Sequence, residues 1–242
     1  MTAKASDKIA RLEEQLQALQ AEKKALLKIV SHDLRSPLNK IYALVGLIKM
    51  ADDNLTDEQR DYLDKIELII NDGLARMHNL MDLRSLEEQR FVVNKEPLAV
   101  GRLLKKALAE QMAQAKRKQI TLAYEGSDPV VQTDRLLFLR VVWQLLSNAI
   151  KFSPPGSTVV IKLTEQNDEI RIEVIDGGYG IRKEEVGRLF GKFSVLSSKP
   201  TAGESTNGLG LYLAANMARL LGGEVIYPEA EKPVFVFSLP RG

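Results

Sequence analysis

The sequence contains no cysteine, a single tryptophan and only two histidines. Without thiols there can be no disulfide, thiolate metal site or cysteine nucleophile, and the composition fits a reducing compartment such as the cytoplasm. No run of about 18 apolar residues is present that could span a bilayer. The opening stretch MTAKASDKIARLEEQLQ also lacks the basic start, apolar middle and small-residue cleavage site of a signal peptide. Export of this segment, or contact with a membrane by it, is not expected. An excess of one charge sign is missing too: the net charge is +2 and basic residues alternate with acidic ones. That pattern provides no massed basic surface for nucleic acid. What is there is 242 residues with 45% hydrophobic and 27% charged side chains, enough for two ordinary globular domains.

The first of these is helical. From Ile9 apolar residues recur at Leu12, Leu16, Leu19, Leu26 and Val30, with Lys23 the polar interruption. This three-and-four spacing reads as a short parallel coiled coil over residues 1–25 that flows into a longer helix. The seam continues through Leu34, Leu38, Ile41, Leu44, Val45 and Ile48, and a turn is expected at Asp52–Leu55. Thr56 with Gln59 three residues on matches a capping box, so a second helix should start there. Its stripe of Leu63, Ile66, Ile70, Met77 and Leu80 fades near Leu86. A hairpin with one apolar stripe per helix cannot close a core alone. Two copies can, as a four-helix bundle, so a homodimer through residues 26–90 is expected.

Beyond Arg90 the composition changes to short β-branched and aromatic runs with more glycine and proline. The pattern predicts strands at Phe91–Val93, Ile120–Tyr124, Thr158–Leu163, Glu169–Ile175, Glu224–Ile226 and Val234–Ser238. Helices are predicted at Gly101–Lys118, Asp134–Lys151 and Leu209–Leu221. Residues 91–242 therefore read as an α+β domain, and the chain as a multi-domain protein. Its polar, glycine-spotted stretch 182–207 has little periodicity, and a long irregular loop inside a compact domain is commonly a functional lid.

Two constellations carry chemistry. In SHDLRSPLN, His32 follows the apolar seam without lying on it and should face solvent. A neutral imidazole has one nitrogen free to attack an electrophile, and a carboxylate such as Asp33 could fix its tautomer. Ser36 lies one turn on and could orient a water for the reverse, hydrolytic chemistry. Pro37 should bend the helix beside the histidine. Taken alone, His32 reads as a solvated helix histidine, since such residues far outnumber nucleophilic ones, and His78, among Met77, Asn79 and Leu80, as a packing or surface residue.

The second constellation suits a nucleotide. LLSNAIKFS puts Asn148 and Lys151 on one helix face, an amide oxygen for Mg2+ and an ammonium for phosphate. IDGGYGI ends a strand on Asp176, whose carboxylate can accept from an adenine amino group, and Gly178 and Gly180 allow a tight turn close to a ligand. NGLGLYL, from Asn207 through Gly208, Leu209 and Gly210, opens the last helix and would offer backbone donors to phosphates. Phe152 and Phe193 read as core packing, with adenine stacking the alternative for Phe152.

The order of these motifs resembles the histidine protein kinases of two-component signalling, from about Leu26 to the end. SHDLRSPLN is similar to that family's phospho-accepting box, LLSNAIKFS to its asparagine box, IDGGYGI and NGLGLYLA to its glycine boxes, and LFGKF to its phenylalanine box. The resemblance implies a dimeric helical bundle followed by an α+β sandwich ATP-binding domain of the Bergerat (GHKL) type. It implies ATP and Mg2+ as cofactors, His32 as the phosphorylated residue with Asp33 assisting, Asn148 as a Mg2+ ligand, Lys151 on phosphate, Asp176 on adenine and 190–207 as an ATP lid. The expected acceptor of the phosphoryl group is an aspartate of a separate response-regulator receiver domain. The segment reads as the cytoplasmic part of a larger sensor, with no sensor domain of its own and a coiled coil that looks like a cut or engineered start. Three positions depart from the family pattern: Gln144 where a second asparagine is frequent, Thr206 where a glycine is frequent, and Ser36 where phosphatase-competent relatives carry threonine or asparagine. Two other classes share part of the pattern. An ATPase of the chaperone or DNA-repair type would hydrolyse ATP without labelling itself, and a silent dimeric scaffold would bind and transfer nothing.

Overall fold

The computed structural model describes residues 3–51, 55–204 and 206–241, apart from the side chains of residues 3–7, 10, 16, 20, 23, 24 and 26–32. The chain divides into two compact units, residues 1–90 and 91–242.

The first unit is a helical hairpin of α1 (Ala3–Met50) and α2 (Asp57–Glu87). Helix α1 runs through Pro37 without interruption. The expected turn at Asp52–Leu55 falls mainly on residues 52–54, outside the described residues. The capping box forms as read: Gln59 N–H donates to Thr56 Oγ1 at 3.2 Å, and Thr56 N–H donates to Gln59 Oε1 at 2.9 Å. Each bond satisfies an amide that the helix start would otherwise leave open. Inside the hairpin Val45, Leu63 and Ile70 are buried, with Leu38, Leu55 and Leu74 packed against them. Lys49 ties the helices at one end, donating to Asp64 and Glu67 at 2.5 Å each. Much of the predicted seam stays on the surface, including Ile9, Leu12, Leu19, Leu34, Ile41, Leu44, Ile48 and Ile66. The coiled-coil positions Leu16, Lys23, Leu26 and Val30 have side chains outside the described residues.

The second unit places helices on one face of a sheet. In chain order it contains β1 (Glu96–Ala99), α3 (Val100–Arg117), β2 (Thr121–Gly126), β3 (Val130–Thr133), α4 (Arg135–Phe152), β4 (Thr158–Gln166) and β5 (Glu169–Ile175). A single helical turn α5 (Lys183–Val186), α6 (Gly210–Leu220), β6 (Glu224–Ile226) and β7 (Val234–Pro240) complete it. The five-stranded sheet has the order β2-β4-β5-β7-β6, parallel between β2 and β4 and antiparallel elsewhere. Alternation sets its faces: Val159, Ile161, Leu163, Ile170, Ile172 and Val174 point into the core, while Lys162, Arg171 and Glu173 lie on the other side. Helix α4 fills the core with Leu137, Phe138, Val141, Val142, Leu145, Leu146, Ala149 and Ile150, all at most 2% exposed. Each large side chain so buried contributes about 1.5–3 kcal/mol. Asp134 starts this helix by accepting from Leu137 N–H at 3.0 Å, and its other oxygen accepts from Asn94 N–H at 2.8 Å.

Three expectations are corrected. The first strand is Glu96–Ala99, not Phe91–Val93: Phe91 instead lies under the Arg140 guanidinium, 5.7 Å from the ring centroid. Strand β3 was not anticipated; it pairs antiparallel with β1 in a separate two-stranded ribbon, where Pro97 sits opposite Gln132. The stretch 182–207 is not wholly irregular, since it begins with the turn α5. The remaining strands and helices fall within a few residues of their predicted ends. Among the described residues, no helix is long and apolar enough to cross a membrane.

Candidate nucleotide site

Strand β5 carries the chain from a half-solvated face into the turn Asp176–Gly180. Asp176 is 7% exposed, and its backbone N–H donates to Pro233 O at 3.1 Å. Its carboxylate accepts from Gly178 N–H at 2.7 Å. Burial pushes its pKa from 3.8 up to about 6, and the Gly178 bond only partly offsets this. A buried carboxylate that gains so little from its own fold is suited to a donor brought by a ligand.

Both glycines that follow are required by close approach. A Cβ on Gly177 would lie 2.6 Å from Ser157 Cβ, and one on Gly178 would lie 2.8 Å from Asp176 Oδ1 and 3.1 Å from Phe152 O. The turn therefore packs directly on the end of α4. Gly177 N–H donates to Ser153 Oγ at 3.1 Å, and Ser153 itself is fully buried. Gly180 has φ +76°, and the next amide, Ile181 N–H, donates to the Tyr227 hydroxyl at 3.3 Å.

At the other end of the site Gly208 adopts φ +65° and fits against the backbone of Phe193 and Ser194, which a Cβ would meet at 2.6 Å. Gly210 begins α6 beside α4: a Cβ there would lie 2.8 Å from Gln144 Oε1. Gln144 is buried, so the longer amide at this position sits between α4 and the start of α6. Leu209 does not offer a free amide, because its N–H donates to Asn207 Oδ1 at 3.2 Å, and its side chain is fully buried.

Asn148, Lys151 and Phe152 lie in the last turns of α4 and are half-buried. Phe193 corrects the sequence reading: it is 56% exposed at φ +58°, with Lys192 Nζ 5.5 Å from its ring centroid, and is not a core residue. The turn after β5, the end of α4 and the start of α6 are thus brought together through Phe152, Ser153 and Gln144. In the first unit, the backbone of His32 lies within α1, but its side chain falls outside the described residues. Asp33 and Ser36 are exposed there, and so is His78 on α2.

Sequence reasoning missed Tyr227, Ser153 and Lys118. Ser153, at the C-terminal cap of α4, and Tyr227, in the loop after β6, hold the Asp176 turn from places distant in sequence. Lys118 donates to Ile150 O at 2.7 Å and Lys151 O at 2.9 Å, at the end of α4. No local spacing marks any of the three.

A sheet with helices on one face, a buried aspartate at a strand end and a glycine turn against the end of α4 is the arrangement that the resemblance to GHKL-type domains leads one to expect. Residues 133–242 match the family described as "Histidine kinase-, DNA gyrase B-, and HSP90-like ATPase". Residues 22–89, which include His32, match the "His Kinase A (phospho-acceptor) domain". The chain is 30% identical over 223 residues to an aerobic respiration control sensor protein ArcB homolog of Haemophilus influenzae, covering 90% of this chain and 67% of that protein. It is also 30% identical over 218 residues to the sensor protein GacS of Pseudomonas syringae pv. syringae, 86% of this chain but 24% of that one. In fold it is similar to full-length ShkA in complex with AMPPNP, with TM-score 0.62, 22% identity and coverage of 88% of this chain and 45% of that one. The chain belongs to the sensor histidine kinases of two-component signalling. It spans about a quarter of GacS and two thirds of the ArcB homolog.

The state of Asp176 leads to a pH-dependent expectation. Because its folded pKa is raised, the protonated form stabilises the domain below pH 3.8, and this contribution is lost as pH rises through about 6. A ligand donating to the carboxylate follows the opposite course, binding fully above about pH 6 and weakening below it. Titration calorimetry with an adenine nucleotide should show affinity falling by up to about tenfold per pH unit below 6. An inosine nucleotide, which has no amino group, should lack that slope.

Proposed function

We propose that this chain is the ATP-dependent autophosphorylating core of a sensor histidine kinase, which passes the γ-phosphoryl group from His32 to an aspartate of a separate response regulator. The observation that carries the nucleotide half is the buried Asp176 carboxylate, held at the end of β5 against the end of α4. The AMPPNP held by ShkA supports ATP as the ligand. Among the described residues no group of three or more His, Cys, Asp or Glu could hold a metal ion. Mg2+ usually keeps several waters and relies on few protein oxygens together with the substrate phosphates. Asn148 would supply the protein oxygen, and bound Mg2+ would offset charge on the phosphate oxygens.

In this reading Asp176 accepts from the adenine amino group, with Phe152 beside it and Gly178 and Gly180 shaping the turn. Lys151 and the chain at Asn207, Gly208 and Gly210 face the phosphates, Leu209 anchors that segment in the core, and 182–207 serves as the lid. His32 attacks the γ-phosphorus in line, the bond to the β-γ bridging oxygen breaks and ADP leaves. Asp33 accepts a hydrogen bond from the other imidazole N–H, stabilises the positive charge that develops on the ring and takes up that proton as the neutral phosphohistidine forms. The chemistry is mainly positioning. Ser36 is the residue that would orient a water in dephosphorylation of the regulator.

Of the domains at 1–25, 26–90 and 91–242, the boundary between the last two is supported by the division at residue 90, while 1–25 and the start of 26–90 share the helix α1. Homodimerisation is supported by the apolar residues the hairpin leaves exposed: Ile41, Leu44, Leu47, Ile48 and Ile69 are all more than 40% exposed in the single chain. Incubation with γ-labelled ATP and Mg2+ should give acid-labile, base-stable label on the chain, which moves to a cognate receiver domain on mixing. ATP hydrolysis with no protein label would favour the chaperone-type ATPase, and neither activity would favour a scaffold.

A further inference from the structure

Helix α3 ends at Arg117, and the chain reverses through Gln119 at φ +57°, with Ile120 N–H donating back to Ala115 O at 2.9 Å. This turn aims the Lys118 side chain inward. Its ammonium reaches the two carbonyls at the end of α4, Ile150 O and Lys151 O, and also Glu204 Oε1 at 3.0 Å. The two side chains are only 7% and 9% exposed. Cations favour helix C-termini, whose last carbonyls have no partner in the helix. A lysine placed there for stability alone would need no carboxylate from a loop 86 residues away.

That loop is fixed to the same helix end by other bonds. Thr201 N–H donates to Lys151 O at 3.1 Å, and Thr201 Oγ1 donates to Ser153 O at 2.6 Å. Glu204 holds its own loop by accepting from Ala202 N–H at 2.9 Å. Upstream, Ser198 Oγ donates to Gly180 O at 3.2 Å, and Glu185 accepts from both Ser197 N–H and Ser197 Oγ. The segment is therefore strapped across from the Asp176 turn to the end of α4. Its deepest anchor is the buried Lys118–Glu204 pair.

We propose that Lys118 and Glu204 are positioning residues for nucleotide binding: their ion pair pre-orders the second half of the lid against the helix end that presents Asn148 and Lys151. The inference rests on the nucleotide-pocket reading above. Without the pair, residues 201–204 must be ordered when the nucleotide arrives, and that entropy weakens binding. Lys151 O, shared by Lys118 and Thr201, couples the strap to the turn that carries the proposed phosphate contact.

The test uses the full chain and Mg2+-ATP, with Lys118→Met, Glu204→Gln, the double variant and Asp176→Asn. Dissociation constants come from calorimetry, and half-saturating ATP and saturating rate from labelling. The expected result is about a tenfold rise in dissociation constant for each single variant, with the double variant no weaker than Lys118→Met, since the two act as one unit. The effect should fall more on half-saturating ATP than on the saturating rate. Gln keeps an oxygen for Ala202 N–H or Lys118, and Lys118 keeps its two α4 carbonyls, so Glu204→Gln should remain folded and decides the matter if Lys118→Met folds poorly. Unchanged or tighter binding in Glu204→Gln, or effects that add in the double variant, would overturn the proposal. Loss of binding in Asp176→Asn beside unchanged Glu204→Gln sinks only the strap. Wild-type binding in Asp176→Asn sinks the pocket and the strap with it.

Discussion

A His32→Gln chain should bind Mg2+-ATP with unchanged affinity and take up no label from the γ-position. The two halves of that result come from different units. Residues 91–242 hold the proposed nucleotide site and are untouched by the substitution. Glutamine is a good helix former, so α1 should keep its course. What disappears is the one side chain in the motif with a ring nitrogen able to attack phosphorus and carry the phosphoryl group at neutral pH. Because the nucleophile itself is removed, the loss should reach the detection limit. Retained label would transfer the acceptor role to another residue and undo the reading of SHDLRSPLN.

The second large effect is expected at Asp176. An asparagine there keeps an oxygen for the 2.7 Å bond from Gly178 N–H but presents either an amide donor or a weaker acceptor to adenine. A hydrogen bond to a charged group contributes about 1.5–3 kcal/mol, and an unmatched donor adds to the loss, so ATP affinity should fall about 100-fold or more. Stability should behave differently. Burial already disfavours the charged carboxylate at pH 7, as its pKa of about 6 records, so the neutral amide should not lower the melting temperature. Weak binding with retained stability would identify a residue kept for its ligand.

The parts of the fold with strong periodicity were legible in the sequence. Helix α4 could be read because its apolar residues repeat on the helical period and Asp134 stands at its start. Strands β4 and β5 alternate cleanly, and the Thr56–Gln59 box marks the start of α2. Strand β3 escaped notice although Val131 and Thr133 are buried between exposed Val130 and Gln132, because four residues are too few to separate from a loop. Phe91–Val93 has strand-forming residues, but Asp134 and Arg140 draw that segment against α4, and the pairing goes instead to Glu96–Ala99. The residue type of Phe193 suggests core, but its positive φ, in a backbone packed against Gly208, is not written in that type.

The candidate site divides along the same line. Asp176, Gly178, Gly208 and Gly210 announce themselves as short motifs, because close backbone approach admits little else. Their supports do not. Ser153 and Tyr227 act across 24 and 46 residues through bonds to Gly177 and Ile181, and Lys118 acts across 32 residues on Ile150 and also reaches Lys151 and Glu204. No periodicity records such distances, and only the packed fold reveals them. The role of Gln144 was also open in sequence; its burial beside Gly210 accounts for the longer amide there.

The central claim is that the γ-phosphoryl group of ATP comes to rest on His32. The most direct measurement is tandem mass spectrometry of the chain after incubation with Mg2+-ATP, digested and kept at neutral to basic pH so that a phosphoramidate survives. The expected result is a phosphoryl group on the peptide containing SHDLRSPLN, with fragment ions assigning it to His32. A phosphoryl group on any other residue, or steady release of inorganic phosphate with that peptide unmodified, would contradict it.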